Sequence, residues 1–435
     1  MEMLSFDSFD PLMVARTFIH SSITIYFPKK KHTAISGVEK SSTCSYQQLK
    51  DLLPQQCSRI LELFCDSMRL LTFAFASSRF TGTTGRWNSF LCAHAFSRTS
   101  ESCISDKMSS ALSSHLERLR SNKRELLFLD GGTGEELFRQ GVPDDRKIWS
   151  ATAVVNEKYH QTLKNVHRSF IDSGSQAITT NSYGITPGVG FSRDEMTKYV
   201  DVAGKLARES TQEGDRTIII LGSLGPLVES YRPDLVSDHK RGVEDYQAMT
   251  AALAPHVDCF LAETMSSIEE AGQAIEAAGD LPEKTKLPMM VSFTLNGKGK
   301  IRSGESLVEA IPKVVQLADK SHVDLVGVLV NCAEPEAVTK AFEDVRSNTS
   351  LQSLIEERHL LLGAYANRLT PVPDQWSLED SQEAQAMRDD LSPKVYFNDF
   401  VNVWVSELGV QLIGGCCGIT PEHIQFITSH LSKDM

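Results

Sequence analysis

Residues 126–132 read LLFLDGG, a short apolar run that ends in an acidic residue and two glycines. Apolar runs of similar length follow at seven further places: residues 177–184, 217–226, 259–265, 288–294, 325–333, 360–367 and 411–418. Most of them are rich in Val, Ile, Leu or Phe, which is typical of strands buried on both faces of a parallel sheet. The pattern therefore predicts eight β-strands.

Longer stretches with helical periodicity separate these strands. Examples are residues 159–173, 194–213, 266–278 and 307–318, and Ser266 is the expected N-cap of the third. Strand and helix alternating eight times predict an α/β fold, a (β/α)8 TIM barrel over residues 116–435. An open doubly wound sheet is the alternative, but it typically needs a G-x-G-x-x-G turn after its first strand. The sequence DGGTG at residues 130–134 does not match that turn.

Residues 1–115 are predicted to form a poorly structured N-terminal extension. They are rich in Ser and Thr, without regular alternation, and one short helix is expected over residues 58–75. Ser- and Arg-rich stretches at residues 77–80 and 96–100 are typical of a transit peptide. A disordered extension, or synthesis starting at Met68 or Met108, are the alternatives. We expect a cytoplasmic protein, or a plastid or mitochondrial one if the extension is a transit peptide.

The composition excludes several classes of function. The net charge of −12 argues against binding to nucleic acid or to an anionic membrane, which needs a basic surface. No apolar run approaches the roughly 20 residues that cross a bilayer. The nine cysteines are an odd number scattered over 435 residues, unlike a secreted disulfide scaffold. A soluble protein in a reducing compartment is expected.

Three thiols follow two of the predicted strands, and strand ends carry the active site in such barrels. Cys332 ends the sixth strand, and the adjacent Cys416 and Cys417 end the eighth. Three thiolates would leave one tetrahedral position open, which is the arrangement of a catalytic zinc site. The alternatives are a redox dithiol for the adjacent pair and a small buried apolar side chain for a lone cysteine. We apply the last interpretation to Cys259.

Other polar and aromatic residues are candidates for the same site, at the mouth of the predicted barrel, which is the end where the strands finish. Glu263 ends the fourth strand and is expected to bind a substrate ammonium group or to form a buried ion pair with Arg or Lys. Asp130 has the same two interpretations, and it could also cap the following turn. Trp149 and Tyr183 could offer aromatic faces to a positively charged methyl donor, or could be ordinary packing residues.

These segments together resemble the homocysteine S-methyltransferase family over about residues 120–432. The resemblance rests on the ordered set LDGG at 129–132, Trp149, TTNSY at 179–183, GSLGP at 222–226, AET at 262–264, VNC at 330–332 and IGGCCG at 413–418. It implies that Cys332, Cys416 and Cys417 hold Zn²⁺ and that the homocysteine sulfur takes the open position. It further implies that the amino-acid end of homocysteine is held by Asp130, the Gly131 amide and Glu263. Asn331 is implied to support the site.

The methyl donor is less closely defined by the resemblance. The family includes users of S-methylmethionine, S-adenosylmethionine, betaine and methyl-cobalamin. In betaine users an aromatic residue follows the strand-four glutamate, whereas here Thr264 does. The chain ends at Met435, soon after the eighth strand, so we expect no cobalamin or folate module. We expect a small sulfonium donor and methionine as product. The alternatives are betaine- or corrinoid-linked transfer and a non-catalytic zinc-binding barrel. No oligomeric state is predicted.

Overall fold

Eight parallel strands form one sheet in the computed structural model, which describes residues 112–212, 216–377 and 385–431. The strands lie inside the eight predicted segments: β1 Leu127–Phe128, β2 Ala177–Thr179, β3 Ile219–Leu224, β4 Cys259–Met265, β5 Met289–Phe293, β6 Leu325–Asn331, β7 Leu361–Tyr365 and β8 Leu412–Ile413. The sheet order is β1-β8-β7-β6-β5-β4-β3-β2. The last strand therefore lies beside the first, as in a barrel.

The sheet closes through a small number of contacts between β1 and β2. The amide of Gln176, just before β2, donates to the carbonyl of Phe128 in β1 at 2.7 Å. In return the Phe128 amide donates to Oε1 of Gln176 at 3.1 Å. On the other side, Leu127 pairs with Leu412 in β8. The eight strands thus form a nearly closed barrel, which confirms the predicted fold and excludes the open sheet.

Helices surround the barrel and follow its strands. They are α1 at residues 112–121, α2 Thr133–Arg139, α3 Thr152–Val155, α4 His160–Asp172, α5 Arg193–Ser210, α6 His239–Leu253, α7 Ile268–Gly279, α8 Leu307–Ser321, α9 Pro335–Ser347, α10 Thr349–Glu357, α11 Pro393–Val395, α12 Asn402–Ser406 and α13 Pro421–Leu431. A π-helical segment, Tyr396–Val401, joins α11 to α12. Residue 115, the last of the predicted extension, lies inside α1.

The predicted N-cap of α7 was wrong by one residue. Ser267 has an extended backbone, and its hydroxyl accepts a hydrogen bond from the amide of Glu270 at 3.1 Å. Ser266 instead contributes its amide and its hydroxyl to the Glu270 carboxylate, at 2.7 and 2.8 Å. Both serines suit a helix start, and the cap is the one whose dihedral angles turn the chain into the helix.

The core has two layers, because alternate strand residues point into the barrel or towards the helices. The inner layer contains Leu221, Cys259, Leu261 and Met290, and the leucines of α1 pack against it. Cys259 is fully buried there, as its interpretation as a small apolar side chain requires. The α1 helix lies at the N-terminal end of the barrel, since Gln411, just before β8, donates to the Leu119 carbonyl at 2.9 Å. The opposite end is left free for the site.

No helix in the described part of the chain combines the length and the apolar character that a bilayer crossing requires. The helix predicted over residues 58–75 lies outside the described residues, as do the two Ser- and Arg-rich stretches of the N-terminal extension.

Candidate active site

The C-terminal ends of the strands open into one cavity. Its lining contains all but one of the residues selected from the sequence: Asp130, Gly131, Trp149, Tyr183, Glu263, Cys332, Cys416 and Cys417. Asn331, the remaining one, is fully buried directly before Cys332. The site residues therefore converge as the barrel predicts, although 417 − 130 = 287 positions separate the first of them from the last.

The three thiols form a compact cluster at this mouth. All three sulfur atoms lie within 4.8 Å of one another. The Sγ atoms of Cys332 and Cys417 are 3.6 Å apart, and those of Cys416 and Cys417 are 3.9 Å apart. Sulfurs in a disulfide are about 2.05 Å apart, so these are free thiols. Sulfur ligands at about 2.3 Å around a tetrahedral ion would lie about 3.8 Å apart, which the cluster matches.

The backbone at the end of β8 brings both adjacent cysteines to the cluster. The Cys416 amide donates to the Ala366 carbonyl at 2.9 Å, and the Gly415 amide donates to the Asp130 carbonyl at 2.9 Å. A Cβ atom on Gly415 would lie only 2.1 Å from Cγ2 of Ile419, and Gly418 has a φ of +78°. Glycine is therefore required at both positions, because the chain turns sharply in a space without room for side chains.

The thiols differ in acidity. Hydrogen bonds from Cys416 and Cys417 lower the pKa of Cys332 well below its usual value. Interaction with Cys332 is the main cause that raises the pKa of both other thiols, and burial raises them further. One thiolate is thus favoured, and its negative charge opposes the ionisation of the other two thiols. A cation bound among the sulfurs would remove this repulsion and allow all three to ionise.

Glu263, in β4, is a buried carboxylate held by two hydroxyl groups. Ser223 donates to Oε1, and the Tyr365 hydroxyl donates to Oε2 at 3.3 Å. Burial raises its pKa to about 7, and the negative charges of Asp130 and Cys332 act in the same direction. No arginine or lysine in the described ranges pairs with it. The predicted alternative, a buried ion pair between Glu263 and a basic side chain of the barrel, was therefore wrong for the arginines and lysines of the described ranges.

Asp130 joins the first two strands above the gap between them. Its Oδ2 accepts the amide of Thr179 at 2.7 Å, and its Oδ1 accepts the Thr179 hydroxyl at 3.1 Å. Burial raises its pKa to about 7 against the effect of these bonds. The next residue, Gly131, has no room for a side chain, since a Cβ atom would lie 2.4 Å from the Ile419 carbonyl oxygen. Asp130 thus binds the neighbouring strand rather than capping its own turn.

Asn331 holds the end of β4 in an unusual conformation. Its Oδ1 accepts the Thr264 amide and the Ser292 hydroxyl, both at 2.8 Å, and its Nδ2 donates to the Thr264 hydroxyl at 2.8 Å. Thr264 has a φ of +59°, and Cys332 has a φ of +49°. Residues with side chains rarely adopt this region, and such strain is typical of functional sites. Asn331 therefore fixes the backbone between Glu263 and the thiols.

Trp149 and Tyr183 form one aromatic wall of the cavity. Their rings meet edge to face at 6.3 Å, and Phe138 approaches Trp149 in the same way at 6.1 Å. The Trp149 ring lies against Gly134, where a Cβ atom would be 2.4 Å from it. Both rings also line the cavity, so they combine mutual packing with a surface that a ligand can reach.

A sequence model of the family described as homocysteine S-methyltransferase matches residues 127–431. The chain belongs to the homocysteine S-methyltransferase family. It is 24% identical over 335 residues to homocysteine S-methyltransferase 1 of Arabidopsis thaliana, covering 70% of this chain and 93% of that one. It is 26% identical over 325 residues to homocysteine S-methyltransferase of Escherichia coli K12, covering 70% and 94%.

The fold has solved counterparts in the same family. The crystal structure of the homocysteine methyltransferase MmuM from Escherichia coli, in its metallated form, matches with a TM-score of 0.53 at 22% identity. The match covers 70% of this chain and 96% of that one. At this identity the likeness supports the barrel, which the strand order shows independently.

Tyr231 and Glu135 are site residues that the sequence analysis missed. The Tyr231 hydroxyl lies 3.0 Å from Sγ of Cys332, and its ring meets Trp376 edge to face at 5.4 Å. The Arg302 guanidinium lies 5.0 Å from the centre of the same ring. Tyr231 belongs to a loop without a sequence signal. Glu135 also lines the cavity, and its place just after the glycine-rich turn was the available signal.

Proposed function

We propose that this chain transfers a methyl group from a small sulfonium donor to the thiol of homocysteine, with zinc bound by Cys332, Cys416 and Cys417. Family membership supports the methyl transfer to homocysteine. One observation carries the proposal for this chain: three free thiols lie at the separations of tetrahedral ligands, in a cavity rich in carboxylates. The product would be methionine.

The donor set fits zinc. Three sulfur ligands with space at the fourth position are typical of a catalytic zinc centre, and soft thiolates favour zinc over Mg²⁺ or Ca²⁺. When bound, zinc lowers the pKa of a coordinated thiol, so that homocysteine is present as its thiolate at neutral pH. The chain contributes the rigid support, since Asn331 and the glycines of β8 hold the cysteine backbones.

The amino-acid end of homocysteine would bind across β1 and β4. Glu263 and Asp130 interact closely enough for the charge of one to raise the pKa of the other. An ammonium group between them would relieve this repulsion and form charge-assisted hydrogen bonds. We assign Glu263 as its main partner, because both Asp130 oxygens already bond Thr179. The Gly131 amide is the proposed donor to the substrate carboxylate.

The charge of the cavity favours a cationic donor. Among its lining residues five are acidic, namely Asp130, Glu135, Asp144, Glu229 and Glu263, and one, Arg146, is basic. Trp149 and Tyr183 add aromatic faces, which attract onium groups. Thr264 follows Glu263 where betaine users have an aromatic residue, which favours sulfonium over betaine.

The reaction itself is an in-line displacement. The homocysteine sulfur forms a bond to the methyl carbon while the bond from that carbon to the donor sulfur breaks. The electron pair stays on the leaving sulfur, which becomes a neutral thioether. The chain's task is to align the attacking sulfur, the methyl group and the leaving sulfur, which can account for several orders of magnitude in rate.

One assay tests the proposal and its alternatives. Zinc-loaded protein is incubated with homocysteine and one methyl donor that carries deuterated methyl groups. The donors compared are S-methylmethionine, S-adenosylmethionine and betaine, and labelled methionine is measured by mass spectrometry. We expect product with a sulfonium donor and only background with betaine. Product from betaine alone would reverse the donor assignment. Homocysteine binding without product from any donor would favour the non-catalytic barrel.

A further inference from the structure

Glu135 carries a buried oxygen that no hydrogen bond satisfies. In the structure as described, its Oε2 has no hydrogen-bond partner, although it is shielded from solvent. Burial raises the pKa of the Glu135 carboxyl to about 7, while hydrogen bonds to this carboxyl from the Gly418 amide and the Cys417 thiol act in the opposite direction. The residue lies in the first turn of α2, and its side chain reaches the cavity that contains the thiols. A Cβ atom on Gly132 would lie 2.9 Å from this oxygen and 3.1 Å from the amide nitrogen of Gly418. The carboxylate is therefore beside the end of β8.

The other four carboxylates of the cavity have no buried oxygen that lacks a partner. Asp130 bonds Thr179, and Glu263 bonds Ser223 and Tyr365. Asp144 pairs with Arg146 at 3.2 Å, and Glu229 accepts hydrogen bonds from Ser377 and the Ser230 amide. Glu135 alone among these five has an oxygen buried without a partner. Burying such a group costs free energy unless a ligand completes it.

The surroundings of Glu135 select the kind of ligand. Phe138, three residues later on α2, also lines the cavity, and its ring meets Trp149 edge to face. Gly134, beside Glu135, allows the Trp149 ring to pack against the helix start. A negative oxygen next to aromatic faces is suited to a cation that carries methyl groups, since the faces attract its charge and contact its apolar surface.

We propose that Glu135 binds the positive charge of the methyl donor and so selects a sulfonium over a neutral thioether. This inference rests on the proposed function, which requires a cationic donor. Much of the positive charge is still on the donor in the transition state, so the contact stabilises the bound donor and the transition state to a similar extent. Its removal should therefore raise KM for the donor and leave kcat nearly unchanged.

The test compares Glu135→Gln with Glu136→Gln in the zinc-loaded full chain. Glu136 is the matched control, because it is the adjacent buried glutamate and its Oε2 also lacks a hydrogen bond, but it does not line the cavity. Its Oε2 lies 3.0 Å from Nε of Arg139, and its Oε1 accepts a hydrogen bond from Gln140. Binding of S-methylmethionine is measured by calorimetry. Binding of methionine is measured in the same way on protein saturated with homocysteine, which fills the acceptor site and leaves methionine only the donor site. Both ligands share an amino-acid end, so the ratio of their affinities isolates the sulfonium charge.

We expect Glu135→Gln to lower this ratio about 10- to 100-fold, as for the loss of one charge-assisted contact. KM for S-methylmethionine should rise by a similar factor, while kcat, zinc content and homocysteine affinity stay within about twofold. The control should keep the wild-type ratio. An unchanged ratio, an equal loss in the control, or a loss confined to homocysteine affinity would overturn the role of Glu135.

The two hypotheses fail in different ways. Wild-type protein that transfers no methyl group would reject the proposed function, while the affinity ratio would still report on Glu135. Normal transfer by Glu135→Gln with an unchanged KM would reject this inference alone.

Discussion

His167 is a fully buried histidine in the middle of α4. Neither of its ring nitrogens has a hydrogen-bond partner in the described ranges. Burial disfavours the charged imidazolium and lowers the pKa of His167 to about 4. A histidine in the unfolded chain has a pKa of about 6.5. Between these two values the unfolded state binds a proton that the folded state does not, so acid must destabilise the fold.

The size of this effect follows from the two pKa values. The folded state loses stability as the pH falls below about 6.5, and the loss is complete below about 4. Between pH 7 and pH 5 the free energy of unfolding should fall by about 2 kcal/mol through this residue. The full loss, reached below about pH 4, should be about 3 kcal/mol. His167→Leu removes the titrating group without breaking a hydrogen bond, and leucine has a similar volume.

The assay is urea unfolding of both proteins at pH 7 and at pH 5. Other buried groups contribute to the pH dependence of each protein, including Asp130, Glu263 and Glu270, whose raised pKa values near 7 act in the opposite sense. They cancel in the difference between variant and wild type. We expect the free energy of unfolding of the variant, relative to that of the wild type, to be about 2 kcal/mol higher at pH 5 than at pH 7. A shift below about 0.5 kcal/mol would refute the reasoning, because His167 would then ionise without penalty.

Three further predictions concern the site and the domain. Replacing Cys416 and Cys417 together with Ala should remove most of the zinc found by elemental analysis, whereas Cys259→Ala should keep about one ion per chain; full zinc in the double variant would reject the ligand assignment. Glu263→Gln should weaken homocysteine binding in calorimetry roughly 10- to 150-fold with zinc unchanged. A lower melting temperature with normal affinity would instead indicate a structural carboxylate. A chain starting at Met108 should stay folded and as active as the full chain, because it retains α1 and the barrel; a large loss of solubility or activity would contradict this.

The barrel and its thiol cluster were predictable because both depend on local signals. Each strand is a short apolar segment, and in a barrel the residue after a strand reaches the mouth wherever it stands in the chain. The sequence could therefore assign three thiols to one site, although 84 positions separate Cys332 from Cys416 and Cys417 follows directly. The N-cap of α7 was less accessible, since two adjacent serines carry the same side chain and differ only in backbone angles.

The amino-acid sequence by itself thus determined the order of strands and helices, and with it the three thiols at one mouth. Only the tertiary structure decided which partners the buried polar groups have. Glu263 is held by hydroxyls from β3 and β7 rather than by a basic residue, and Asp130 bonds Thr179 across the barrel's closing gap. Tyr231 reaches Cys332 from 101 positions away, while Glu135 keeps a buried oxygen without a partner. The physical reason is that a hydrogen bond forms only when donor and acceptor lie within a few tenths of an ångström of their preferred distance. The packing of distant loops sets that distance, and the periodicity of the sequence does not encode it.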